Sequence, residues 1–195
     1  MTATAHIIDG AAIGAEVLAV VAKASGEFAA RGVIPGLAVV LVGEDPASQV
    51  CVGAKGKAAK ACGFHSAQHT LPASTDEATL LKLVASLNAD PAIHGILVQL
   101  PLPKAINSAK VLEAIDPAKD VDGFHPINVG RAAVGDFAHA LLPCTPVGSM
   151  ILVERAAKTL GVGGDRIPYQ GLLPRWPRQL CQHACQFKGI HGVSF

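Results

Sequence analysis

The run Leu37-Ala38-Val39-Val40-Leu41-Val42 is apolar at every position and is bounded by Gly36 and Gly43. A strand with no polar face needs cover on both sides, which a parallel sheet flanked by helices provides. Gly95-Ile96-Leu97-Val98 is a second, shorter strand candidate, too short and too β-branched for a helix. Pro101 and Pro103 lack the N–H that a ladder needs, so this strand ends near Leu100 and leaves Gln99 at its carboxyl end. Ligands bind at that edge of open α/β sheets, although a core strand with a polar exit residue has the same pattern. Ser66 to Leu71 is a third strand, polar enough for an edge.

Helical patterns separate these strands. Ala11 to Arg31 carries Ile13, Val17, Val20, Val21 and Phe28 on a recurring face, with Gly32 at C′. Ser48 to Ala61 follows a Gly43-Glu44-Asp45-Pro46 turn, with Asp45 or Ser48 placed to cap it. Ser74 and Glu77 have capping-box spacing ahead of a helix whose stripe is Leu80, Leu81, Val84 and Leu87. Asn107 or Ser108 opens a helix with Val111, Leu112 and Ile115 inside, stopped by Asp116-Pro117. Thr145, with Pro146 after it, is placed to cap a last helix running from Met150 to Leu160. Alternation of this kind predicts an α/β fold with a parallel sheet in a three-layer arrangement.

Composition excludes several function classes. Of the 195 residues, 50% are hydrophobic and 16% charged, against roughly 25% charged in an average domain. The net charge is +1, so no basic excess points to nucleic acid or an anionic membrane. No apolar run approaches the ~20 residues of a membrane span, and Met1 to Gly10 has no signal-peptide pattern. Five scattered cysteines (Cys51, Cys62, Cys144, Cys181, Cys185) make no disulfide framework and suit a reducing cytoplasm. Cys181, His183, Cys185 and His191 match no zinc spacing, so no metal is expected.

Chemistry-bearing residues gather after the strands. The helix after the first strand carries Cys51 and Lys55 four apart, hence on one face. Most such lysines are solvated. Lys119-Asp120-Val121-Asp122-Gly123-Phe124-His125-Pro126-Ile127-Asn128 is a polar loop, either a solvated turn or a substrate loop in which Asp122 accepts hydrogen bonds from an amino-heterocycle. Leu142-Pro143-Cys144-Thr145-Pro146-Val147-Gly148 is a rigid, shaped loop around a thiol. Cys144 has no base partner in view, and a buried thiol is the favoured reading.

Taken together, Gly43-Glu44-Asp45-Pro46-Ala47-Ser48-Gln49, the Lys55 helix, Gly95 to Pro103, Lys119 to Pro126 and Leu142 to Pro146 resemble the bifunctional methylenetetrahydrofolate dehydrogenase/methenyltetrahydrofolate cyclohydrolases. The motifs come in family order and cover about residues 5 to 160. The resemblance implies a cytoplasmic enzyme of one-carbon metabolism, feeding purine and amino-acid biosynthesis. It would oxidise 5,10-methylenetetrahydrofolate with NADP and hydrolyse the methenyl product to 10-formyltetrahydrofolate, as a homodimer. It further implies Lys55 as the active-site lysine, Gln99 as the residue that holds and tunes it, and Asp122 as the pterin anchor. Cys51, Leu100 and Pro101 join these three in lining the folate site. The residue types suit those roles. An amine of ordinary pKa, about 10.4, is a poor base at neutral pH unless a neighbour or desolvation tunes it. A glutamine orients it without a carboxylate ion pair, and a carboxylate offers two acceptors to paired N–H groups.

Two departures stand out. The family usually has tyrosine four residues before the lysine, where Cys51 stands here, so weaker folate binding is expected. The family also continues past the last helix into a Rossmann-type NADP domain with a Gly-Arg-Ser phosphate loop. The expected organisation is therefore a folate-binding catalytic domain over 1–145, an inter-domain helix over 146–160, and an atypical tail over 161–195. That tail has no dinucleotide fingerprint, so no NADP-binding loop is assigned. It holds Tyr169 and Trp176, and three prolines and four glycines in its first 17 residues, which predicts poor order. Ile151, Leu152 and Val153 are then expected to be exposed. Three functions fit: the bifunctional enzyme, a folate-binding fragment without dehydrogenase activity, and an α/β binding module with inherited similarity alone.

Overall fold

A computed structural model describes residues 6–161. The chain runs α1 (Gly10–Ala29), β1 (Gly36–Val42), α2 (Pro46–Ala61), β2 (His65–Leu71), α3 (Glu77–Ala89), β3 (Gly95–Val98), α4 (Ser108–Glu113), α5 (Pro126–Val134) and α6 (Cys144–Thr159). The strands form one parallel sheet in the order β2-β1-β3, with Val40 opposite His69 on one side and Val98 on the other. The fully apolar β1 is the central strand and is buried along its whole length. The polar β2 is an edge.

Alternation along β1 feeds two cores. Ala38, Val40 and Val42 join Ile96 and Val98 beneath Leu80, Val84 and Leu87 of α3 and Val111 of α4. Leu37, Val39, Leu41 and Leu97 face Val52 and Ala59 of α2 on the other side. The predicted three-layer α/β arrangement is therefore observed. Lys119-Asp120 adds one parallel bridge beside β3: Ile96 N–H donates to the Lys119 carbonyl at 2.7 Å, and Ile96 pairs with Asp120.

Several local expectations are corrected. The cap of α3 is Asp76, whose Oδ1 accepts from Thr79 N–H at 2.7 Å. Ser74 is displaced because Thr75 closes a turn onto the Pro72 carbonyl. Glu77 meanwhile reaches across to Asn107 N–H and Lys110. The segment from Lys119 is not a solvated turn. Asp120, His125 and Asn128 are buried there, and it leads into the unforeseen α5, with Pro126 in its first turn and Gly135 in αL at its end. Helix α6 begins at Cys144 without a Thr145 cap, because the Cys144 thiol bonds the Val121 carbonyl at 3.4 Å and draws the chain in earlier.

On α1 the expected apolar face is only partly used. Val21 is buried, but Val20 and Phe28 are 61% and 45% exposed. Ile151, Leu152 and Val153 of α6 are half-buried rather than exposed. Arg155 pairs with Glu16 of α1 at 2.9 Å, and Leu152 lies beside Gly10. The expectations for the tail and for Cys181, His183, Cys185 and His191 fall outside the described residues.

Candidate active site

The site is built on the carboxyl edge of the sheet. Helix α2 supplies Lys55 from its sheet-facing stripe: Ser48, Val52 and Ala59 are buried on that side, at helical spacing with Lys55 between them. The helix starts where it does because Asp45 Oδ2 accepts from Ser48 N–H at 2.8 Å. That bond lowers the Asp45 pKa. Cys51, one turn before Lys55, is exposed at the margin of the same stripe.

Strand β3 supplies Gln99. Its backbone N–H makes the last ladder bond, to the Val40 carbonyl at 2.8 Å, before the prolines end the pairing. Its side chain is held at both ends. Nε2 donates to the Leu100 carbonyl at 2.7 Å, and Oε1 accepts from Lys55 Nζ at 3.1 Å. The Leu100–Pro101 bond is cis. Leu100 is half-buried and Pro101 exposed at this edge.

The third component is the turn from Asp120 to Gly123. Gly123 has φ +67°, and a Cβ there would meet Pro143 N at 2.6 Å and the Leu141 carbonyl oxygen at 2.7 Å. Only glycine lets this turn seat against the Leu141–Pro143 segment. Asp122, half-buried in the turn, has its pKa raised, first by desolvation and also by Asp120, while the Lys55 charge opposes the rise. The Cys144 thiol is pushed up to about 11, first by burial and then by Asp122, with Lys55 again opposing. A thiol in that state is not a nucleophile at neutral pH. The structure thus brings Lys55 and Gln99 into contact and places Asp122 and Cys144 within reach of the lysine's charge. Asp120, His125 and Asn128, which sequence reasoning did not single out, form the buried floor of the turn. The signal for them was the extended, bridged character of Lys119-Asp120, hidden by its polarity.

Residues 8–122 match the family described as "Tetrahydrofolate dehydrogenase/cyclohydrolase, catalytic domain". The chain belongs to that family. It is 57% identical over 152 residues to a bifunctional FolD protein of Mesorhizobium japonicum, spanning 77% of this chain and 51% of the relative. The crystal structure of the bifunctional FolD dehydrogenase/cyclohydrolase from Campylobacter jejuni superposes with TM-score 0.75 at 42% identity, over 77% of this chain and 53% of that one. The methylenetetrahydrofolate dehydrogenase-cyclohydrolase of Trypanosoma brucei, solved with NADP and an inhibitor, superposes with TM-score 0.73 at 35% identity, over 81% and 52%. The chain therefore spans about half the length of the relatives it matches. The tetrahydrofolate dehydrogenase/cyclohydrolase fold accounts for the parallel sheet and the helices that cover it.

The strand exits of the described residues do not fit a dinucleotide. Gly43-Glu44-Asp45-Pro46 places a carboxylate, Asp45, at the α2 N-terminus, where a pyrophosphate would otherwise bind. The other two exits, after Leu71 and Val98, are proline-broken and lack a glycine loop. Among the described residues no helix is long and apolar enough to cross a membrane.

Proposed function

We propose that this chain carries the folate-binding catalytic site of an enzyme that oxidises 5,10-methylenetetrahydrofolate with NADP and hydrolyses the methenyl product to 10-formyltetrahydrofolate. Residues 1–145 would be the folate-binding unit and residues 146–160 the helix leading to the cofactor domain. The enzyme would work in the cytoplasm as a homodimer. The observation that carries this reading is the Lys55 Nζ to Gln99 Oε1 bond, made beside the half-buried Asp122.

In this reading Asp122 accepts the paired N–H groups of the pterin, and the cleft margin is formed by Cys51, Leu100 and Pro101. Gln99 fixes the lysine over the one-carbon bridge. Hydrolysis adds water to the cationic methenyl carbon with release of one proton, and the remaining hydroxyl proton passes to N5 as the carbon–N5 bond breaks and the formyl C=O forms. Lys55 Nζ is the group placed to move the proton. NADP would accept the hydride when bound. The described residues give it no seat, so no step is drawn through it.

A second reading, folate binding without dehydrogenase activity, is favoured by that same lack of a nucleotide seat. One experiment separates the two. Methylenetetrahydrofolate and NADP are added, and reduced cofactor is followed by absorbance; methenyltetrahydrofolate hydrolysis is followed in parallel. Both signals, each lost in Lys55→Met, support the full reading. Folate binding by calorimetry with no reduced cofactor supports the second. No folate binding at all overturns both.

A further inference from the structure

Asp120 is the one carboxylate of the described residues in the buried class, at 1% exposure. A buried charge is costly unless it is compensated by hydrogen bonds or a partner charge. Here Oδ2 accepts from His125 N–H at 2.8 Å and from Asn128 Nδ2 at 3.0 Å, and both donors are neutral. Asn128 is itself fully buried, at 0% exposure. It also donates to the Pro117 carbonyl at 2.8 Å and accepts from Leu141 N–H at 3.3 Å. One amide thus ties together the segment before the Asp122 turn, the turn's own carboxylate, and the Leu141–Pro143 segment on which Gly123 rests.

We propose that Asp120 and Asn128 are positioning residues for the active site: the pair fixes the Asp122 turn against the cleft, and the Asp120 carboxylate adds a second negative charge to that turn. The assignment of Asp122 as pterin anchor rests on the function proposed above; the clamp does not. The charged groups acting on Asp122 are Lys55 from α2 and Asp120 from its own turn, and Asp122 in turn acts on the Cys144 thiol of α6. The raised proton affinity of Asp122 agrees, with burial as the first cause and Asp120 contributing in the same direction.

The test separates charge from position and needs no ligand. Asp120→Asn keeps an oxygen acceptor for His125 and Asn128 but removes the charge. The Asp122 carboxyl is followed by carbon NMR across an acid titration of the full chain. In the wild type its midpoint is expected above those of Asp45 and Asp76, and in Asp120→Asn it falls toward theirs. Asn128→Ala removes the tie, and the amides of Val121 to Gly123 then exchange with solvent at least tenfold faster while those of β1 do not change. An unmoved Asp122 midpoint in a folded Asp120→Asn variant, or unchanged exchange in Asn128→Ala, overturns the proposal. Should Asp120→Asn fail to fold, the exchange of Val121 to Gly123 in Asn128→Ala decides the proposal, which fails if that exchange is unchanged. Folate affinity, measured separately, bears on the proposed function: loss of binding in wild type sinks that reading and leaves the clamp standing on its own data.

Discussion

Asp122 shows most plainly the tension between stability and function at a single residue. Its pKa is raised in the fold, so the fold prefers its protonated form. The sign follows directly: the favourable contribution of the protonated acid is complete below the unfolded value near 3.9 and is lost as pH rises through the folded value. At neutral pH the ionised carboxylate is a net cost. Asp122→Asn is therefore expected to raise the melting temperature at pH 7, with the gain disappearing below about pH 4, and to weaken folate binding. Calorimetric scans at the two pH values check the first half; a variant less stable at pH 7 would contradict it. Cys51 offers the converse case. It is exposed one turn from Lys55, where the family usually places tyrosine. An aromatic face against the folate contributes about 1 kcal/mol, so Cys51→Tyr is expected to tighten folate binding by about fivefold. Equal dissociation constants would remove the stacking argument.

At the scale of elements, legibility followed burial on both faces. The apolar run of β1 could only be a covered strand, and Leu80, Val84 and Leu87 repeat at a spacing only a packed helix satisfies. Gln99 was legible as a strand-exit residue because the prolines after it end the pairing, whereas Lys55 had the pattern of a solvated helix lysine and was singled out only by the family resemblance; the structure joins the two by one hydrogen bond. The segment after α4 was not legible. Asp120, His125 and Asn128 have a surface composition, and they are buried because they bond one another and, through Asn128, the Pro117 carbonyl and the Leu141 N–H on either side of the turn. Local sequence carries the turn residues but not the closure. The α3 cap failed for a smaller reason: two acceptors within three residues competed, and the Pro72–Thr75 turn decided for Asp76. Lys119 reveals how the illegible segment is anchored. Its Nζ donates to the carbonyls of Leu87, Asn88 and Asp90 at the end of α3, at 3.2, 2.7 and 2.9 Å. Asn88 adds a bond to the Ala114 carbonyl at 2.8 Å and accepts from Asp116 N–H at 2.9 Å. Lys119→Met leaves those carbonyls without their cation and is expected to cost about 2 kcal/mol in urea unfolding. A loss below about 0.5 kcal/mol, the range of ordinary surface changes, would mean that the ammonium contributes little there.

Across the whole molecule the candidate site joins segments far apart in sequence: Lys55 on α2, Gln99 after β3, Asp122 beyond α4 and Cys144 at the start of α6. None of these segments can hold its side chain in place alone. The parallel sheet brings them together, since each strand exit lies at the same edge. A ligand that touches all of them binds only the assembled fold, so its binding energy adds to global stability rather than to one loop. Folate at a hundredfold excess over its dissociation constant is expected to add about 2.7 kcal/mol and to raise the melting temperature accordingly. Lys55→Met, which breaks the bond to Gln99 while leaving both cores untouched, is expected to melt close to wild type without ligand and to lose most of the ligand-induced rise. The comparison distinguishes a site made by the fold from a fold made by the site. If Lys55→Met already melts far below wild type with no folate present, the lysine is a structural strut and its place in the chemistry falls. If the variant keeps the full rise, Lys55 contributes nothing to folate binding, and its contact with Gln99 is not what holds the ligand.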